Sequence, residues 1–198
     1  MADWLDAEMR AAARLVRQPH LDRLRALGCT GTALARLGEH HAPYGTMRIA
    51  ARTGGFYEPC AAGQPALIVP VCWPEHHEGL ITPLITLWPI IDLIAVRADY
   101  PANWLWRTGT AWALGGHLLE DWQGEPVPVV ATPLDWLRAA GGAVCVLDWA
   151  DNSPAWPILR RLPHIVASDD LLARRLAQAI DRTAPRPLIS VGGRRHAA

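Results

Sequence analysis

Residues 127–182 read VPVVATPLDWLRAAGGAVCVLDWADNSPAWPILRRLPHIVASDDLLARRLAQAIDR, and the changes of hydrophobic period within this stretch decide the fold class. Three short apolar runs, at 127–131, 143–147 and 164–167, are each followed by a segment of helical spacing. Leu134 and Leu137 mark the first helix, and 155–162 form the second. In the third, Leu172, Leu176, Ala179 and Ile180 face one way, with Arg174, Arg175 and Gln178 opposite. Strands that alternate with helices predict a parallel sheet, because a parallel pair needs a crossover long enough to be a helix.

Upstream the period differs. The first forty residues read as three helices: Leu5, Met9, Ala12 and Val16 recur at helical spacing, and Pro19 opens a segment closed by Gly28. Thr30 or Thr32 caps the third, which ends at Gly38. Between them and residue 125 lie β-prone runs at 47–52, 66–72, 80–87 and 90–97, separated by Gly54-Gly55, Gly63, Pro74 and Pro89. Trp104 and Trp106 alternate with Leu105 and Arg107 as on a half-buried strand. The expected organisation is α/β (α+β overall): a helical segment 1–40, a strand-rich subdomain 41–124, a βαβαβα unit 125–182 and a disordered tail 183–198.

The run LITPLITLWPIIDLIAV (80–96) has nearly the length of a membrane span, but Pro83, Pro89 and Asp92 interrupt it. Two strands broken at Trp88-Pro89 account for it better, so no membrane partner is expected. The acidic N-terminus lacks an apolar leader core, and Cys29, Cys60, Cys72 and Cys145 form no C-x-x-C pair, which together point to free thiols and a cytoplasmic location.

Nineteen acids balance nineteen bases, and every base is arginine. A GC-rich genome explains that usage, and so does a need for planar recognition of phosphate or carboxylate. Without lysine, Schiff-base chemistry and a Walker A phosphate site are excluded. With no net charge, any nucleic-acid binding has to come from a local patch.

Three constellations carry possible chemistry. Asp148, Asp151, Asp169 and Asp170 fall at or near the carboxyl ends of the predicted parallel strands, where ligands gather, and clustered carboxylates suit Mg²⁺. The same residues serve equally as turn and helix-start residues, with Ser168 as a suitable cap. His40-His41 and His76-His77, the latter four residues after Cys72, allow a Zn²⁺ site to be drawn. Their spacing matches no established pattern and suits solvated loops as well. Ten tryptophans beside one phenylalanine suggest a stacking platform for single-stranded nucleic acid, best at Arg97, Trp104, Trp106 and Arg107, or else simple core packing. No G-x-S-x-G elbow and no G-x-G-x-x-G follows a strand.

The arrangement resembles the catalytic core of bacterial and phage DNA primases, which carries a Toprim domain. LDRLRALGCTGTALARLGEHHAP (21–43) is similar to that family's opening helices, and ALIVPV and PIIDLIAV to the strands before the Toprim part. VPVVATPLDWLRAAG is similar to its first Toprim strand and helix, and HIVASDDLLARRLAQAI to its Asp-x-Asp strand and helix. The resemblance implies a glutamate where this chain has Ala131, and an aspartate where it has Ser168; only Asp170 matches. Asp148, Asp169 and Glu125 are nearby carboxylates, although Glu125 lies at the other end of its strand. The resemblance therefore implies a catalytically degenerate relative, of the kind carried by a phage or mobile element, with a nucleic-acid-associated or scaffolding role. Its partners would be single-stranded nucleic acid or a replication protein, and no cofactor is expected. The alternatives are a small Mg²⁺-dependent phosphotransfer or hydrolytic enzyme using the aspartates, and a protein-interaction domain.

Overall fold

A computed structural model describes residues 3–77, 85–97, 100–119 and 124–184. Three helices come first: α1 (Asp3–Arg14), α2 (Gln18–Ala26) and α3 (Gly31–Leu37). Thr30 caps α3 by accepting a hydrogen bond from the Ala33 N–H. Strands β1 (Gly45–Arg52), β2 (Phe56–Pro59), β3 (Gln64–Cys72), β4 (Glu75–His77), β5 (Ile85–Leu87), β6 (Ile90–Arg97), β7 (Tyr100–Trp106) and β8 (Ala113–Leu114) follow. The last part holds β9 (Val127–Val130), α4 (Pro133–Arg138), β10 (Val144–Val146), α5 (Ala155–Leu159), β11 (Ile165–Ala167) and α6 (Asp170–Arg182). The expected strand at 80–84 and the tail at 185–198 lie outside the described residues.

The strand-rich middle closes into a barrel of order β1-β2-β7-β6-β3. β1 pairs antiparallel with both β2 and β3, β6 with both β3 and β7, and a single parallel pair, Phe56 with Trp106, completes the ring. Ile49, Tyr57, Ile68, Leu93, Ala95 and Leu105, drawn from all five strands, form one apolar cluster with Leu5, Met9 and Ala12 of α1. Gly45 lets the helix approach: a Cβ there would lie 2.5 Å from the Cβ of Ala12. The run expected as two consecutive strands around Trp88-Pro89 divides instead between two sheets. β5 pairs with β4 in a separate two-stranded sheet, whereas β6 is a barrel strand.

The alternating pattern after residue 127 produces parallel pairing: β9 lies between β10 and β11 and is parallel to both. β8 adds an antiparallel edge beside β10, giving the order β11-β9-β10-β8. Period two along β10 explains how this sheet joins two cores. Val144 and Val146 pack with Trp156, Leu172 and Leu176 of α5 and α6. Cys145 and the following Leu147 face Leu137 of α4, Leu24 of α2, Leu34 of α3, and Val69 and Ile94 on the outer barrel surface. No helix among the described residues is long and apolar enough to cross a membrane.

Candidate functional site

The four aspartates expected to hold a cation each have a separate local role. Asp169 caps α6, accepting the Leu172 N–H at 2.8 Å and the Ser168 hydroxyl at 3.0 Å. These bonds hold its carboxyl below the usual carboxylate range. The cap is therefore Asp169, one residue later than Ser168, because its carboxylate is the acceptor that reaches the N3 amide. Asp170 lies in the first turn of the same helix, Asp148 accepts the Ala150 N–H at 3.0 Å, and Asp151 pairs with Arg182 at 2.7 Å. Ala131 stands just beyond β9, with Glu125 before that strand at its opposite end. Among the described residues no group of three or more His, Cys, Asp or Glu side chains is placed to hold a metal.

The tryptophan–arginine cluster also separates. Trp104 and Trp106 do share one face of β7, their rings 6.5 Å apart, but that face packs against the core beneath α2 and α4. Their indole N–H groups donate to the backbone carbonyls of Leu147 and Ala111, at 3.3 and 3.2 Å. Arg107 turns the other way: its Nε donates to Glu8 of α1 at 3.0 Å, and its guanidinium stands 4.7 Å from the Trp4 ring. Only Arg97 reaches an open surface, at the end of β6.

A residue whose structural role the sequence does not announce organises this region. Asp92, within the apolar run of β6, is fully buried. Its Oδ1 accepts the N–H groups of Leu93 and Thr108 at 2.8 and 2.9 Å, and its Oδ2 those of Thr110 and Ala111 at 2.9 and 3.2 Å. The carboxylate thereby fixes the loop between β7 and β8 and joins the barrel to the second sheet. A charged residue in the middle of IIDLIAV was the available signal, since a buried charge requires partners.

All four cysteines are free thiols. Burial pushes Cys72 up to about 12 and raises Cys29 and Cys145 as well, so these three are poor nucleophiles.

Arg97 lines a cavity of about 560 Å³. It is an open groove between α2 and the barrel. Met47, Pro65 and Leu67 give it an apolar floor, and Arg23 of α2, Arg48 of β1 and Arg97 bring guanidinium groups to it. His20 and Gln64 add polar groups, and among the described residues no acidic side chain lines it. Helical spacing places His20, Arg23, Leu24 and Leu27 along the same side of α2, so charge and apolar surface arrive together. Such a surface attracts a ligand that carries both negative charge and flat or apolar bulk. No protein-family model, curated protein or solved structure matches the chain.

Proposed function

We propose that this protein is a catalytically degenerate, Toprim-like binding protein that associates with nucleic acid, and that a single strand lies in the arginine groove between α2 and the barrel. The observation that carries the reading is the composition of that groove: three arginines on three elements, an apolar floor and, among the described residues, no carboxylate. Phosphates favour guanidinium forks, and bases exposed in a single strand stack on guanidinium planes and apolar surface, so the groove satisfies both demands of such a ligand. A neutral chain requires a local patch of this kind.

Support for a non-catalytic role comes from the second sheet. The order β11-β9-β10, with helices following its strands, is consistent with a Toprim-like unit. The position that would carry a general acid–base glutamate is Ala131, and Asp169 and Asp151 are engaged in a helix cap and an ion pair. The Mg²⁺-dependent alternative requires these carboxylates to converge, and among the described residues no group of three or more such side chains is placed to hold a metal.

Fluorescence anisotropy with a labelled oligothymidylate tests the proposal. The wild type is expected to bind at low salt, and Arg23→Ala/Arg48→Ala to bind at least about tenfold more weakly, two lost phosphate contacts being worth a tenfold step or more. Equal binding by wild type and double variant, or none by the wild type, would reject the groove as the site.

A further inference from the structure

One polar group of the arginine groove is explained neither by phosphate contacts nor by the apolar floor. His20 stands at the third position of α2, partly buried and one turn before Arg23 on the side that lines the groove. Its Nδ1 accepts the N–H of Arg17, the residue that precedes the helix, at 2.9 Å. That bond satisfies a backbone donor at the start of α2, as a side chain reaching back to the cap does. It also fixes the tautomer: with Nδ1 serving as acceptor, the neutral ring carries its proton on Nε2. Among the described residues Arg17 is the ring's only hydrogen-bond partner, which leaves the Nε2–H to a ligand.

The other polar groups of the lining discriminate less. Arg23, Arg48 and Arg97 are charged donors suited to phosphate oxygens. Thr46 carries a hydroxyl and Gln64 an exposed amide, each of which both donates and accepts and so tolerates either partner. His20 differs, because a ring whose Nδ1 is committed to Arg17 offers a neutral N–H and no acceptor. A base bound there has to turn an acceptor toward it. At the edge farthest from the sugar, thymine, uracil and guanine carry a keto oxygen, whereas cytosine and adenine carry an amino group that would set donor against donor. Strand register supplies an apolar seat for the base. Pro65 pairs with Arg48, and Leu67 lies between Thr46 and Val96, so an apolar strip on the barrel wall runs beside a guanidinium.

We propose that His20 is a specificity-determining residue of the groove, its Nε2–H donating to the keto oxygen of a base, so that the groove selects keto bases (thymine, uracil, guanine) over amino bases (cytosine, adenine). The inference rests on the nucleic-acid reading of the groove and adds base selection to it.

Oligothymidylate and oligodeoxycytidylate of equal length are the probes, two pyrimidine strands of the same charge that differ at the base edge. Fluorescence anisotropy with the full chain should show thymidylate bound at least about threefold more tightly, the effect of one neutral hydrogen bond set against a facing pair of donors. Two variants divide the roles of the ring. In His20→Asn the side-chain oxygen stands where Nδ1 stood and keeps the bond to Arg17, but the donor at the ε position is gone, so thymidylate affinity should fall to that of cytidylate. In His20→Gln an amide reaches the ε position and turns either way, so thymidylate affinity should persist and cytidylate affinity rise to meet it. The salt dependence should be the same in His20→Asn as in the wild type, because a neutral contact releases no counterion, whereas Arg23→Ala/Arg48→Ala should weaken both strands alike. Equal affinity of the wild type for the two strands, or a preference undiminished in His20→Asn, would overturn base selection by His20 while arginine-dependent binding left the groove reading standing. Absence of arginine-dependent binding of either strand would overturn both.

Discussion

Replacing Asp92 by asparagine removes one acceptor atom from a fully buried site and leaves the shape unchanged. In the wild type four backbone N–H groups converge on the carboxylate, two on each oxygen. An asparagine oriented to keep Leu93 and Thr108 turns its own amide toward the N–H groups of Thr110 and Ala111, so two bonds to a charged acceptor are lost and donors face donors. Each such bond contributes about 1.5–3 kcal/mol, and the lower burial cost of a neutral amide offsets part of the sum. The expected loss is about 3 kcal/mol or more, a large share of the roughly 5–15 kcal/mol that holds a domain of this size together. Urea unfolding followed by circular dichroism reads this directly, with a fall in midpoint at unchanged slope. An Asn variant within about 0.5 kcal/mol of wild type would refute the reasoning, because it would mean that the loop amides do not depend on the carboxylate.

Three further outcomes rest on the placement of named side chains. Trp106→Ala should cost about 3 kcal/mol of folding stability, the low end for a large aromatic because the ring is half-buried, and leave oligothymidylate affinity unchanged; calorimetry and anisotropy on the one variant separate packing from stacking. The depressed carboxyl of Asp169 stabilises α6 fully above the ordinary aspartate value of about 3.9, and this contribution is lost as pH falls through the lower folded value. Asp169→Asn keeps an acceptor without that titration, so the difference in Tm between wild type and variant should narrow in acid; a difference independent of pH would contradict the cap. Cys72, half-buried and raised to about 12 by desolvation, should react with iodoacetamide at pH 8 more slowly in the native protein than after unfolding, and mass spectrometry showing equal rates would count against the raised thiol.

The helices and the parallel strands were legible because each is coded locally. Period 3.6 in α6 buries Leu172, Leu176 and Ala179, and the apolar runs of β9, β10 and β11 are bounded by turn formers. The barrel was not legible as a barrel. Its closure depends on β2, a four-residue strand ending at Pro59 with no clear alternation, and on one pair between Phe56 and Trp106. The aspartates lie near strand ends as expected, but the sequence does not say whether a carboxylate there faces a cation or its own helix amides; for Asp169 the Leu172 N–H decides it. Trp104 and Trp106 share a face as their alternation requires, and only the packing of α2 and α4 over β7 makes that face interior. Arg23, Arg48 and Arg97 do not stand out in a chain whose bases are all arginine, and the fold alone brings them to one groove.

The salt dependence of oligothymidylate binding tests the central claim most directly, because it counts the phosphates engaged. Three arginine contacts to a single strand predict a slope of log K against log salt of about −2, and Arg48→Ala, with one contact fewer, about −1.4. A slope near zero, or an unchanged slope in the Arg48→Ala variant, would contradict the placement of nucleic acid in the arginine groove.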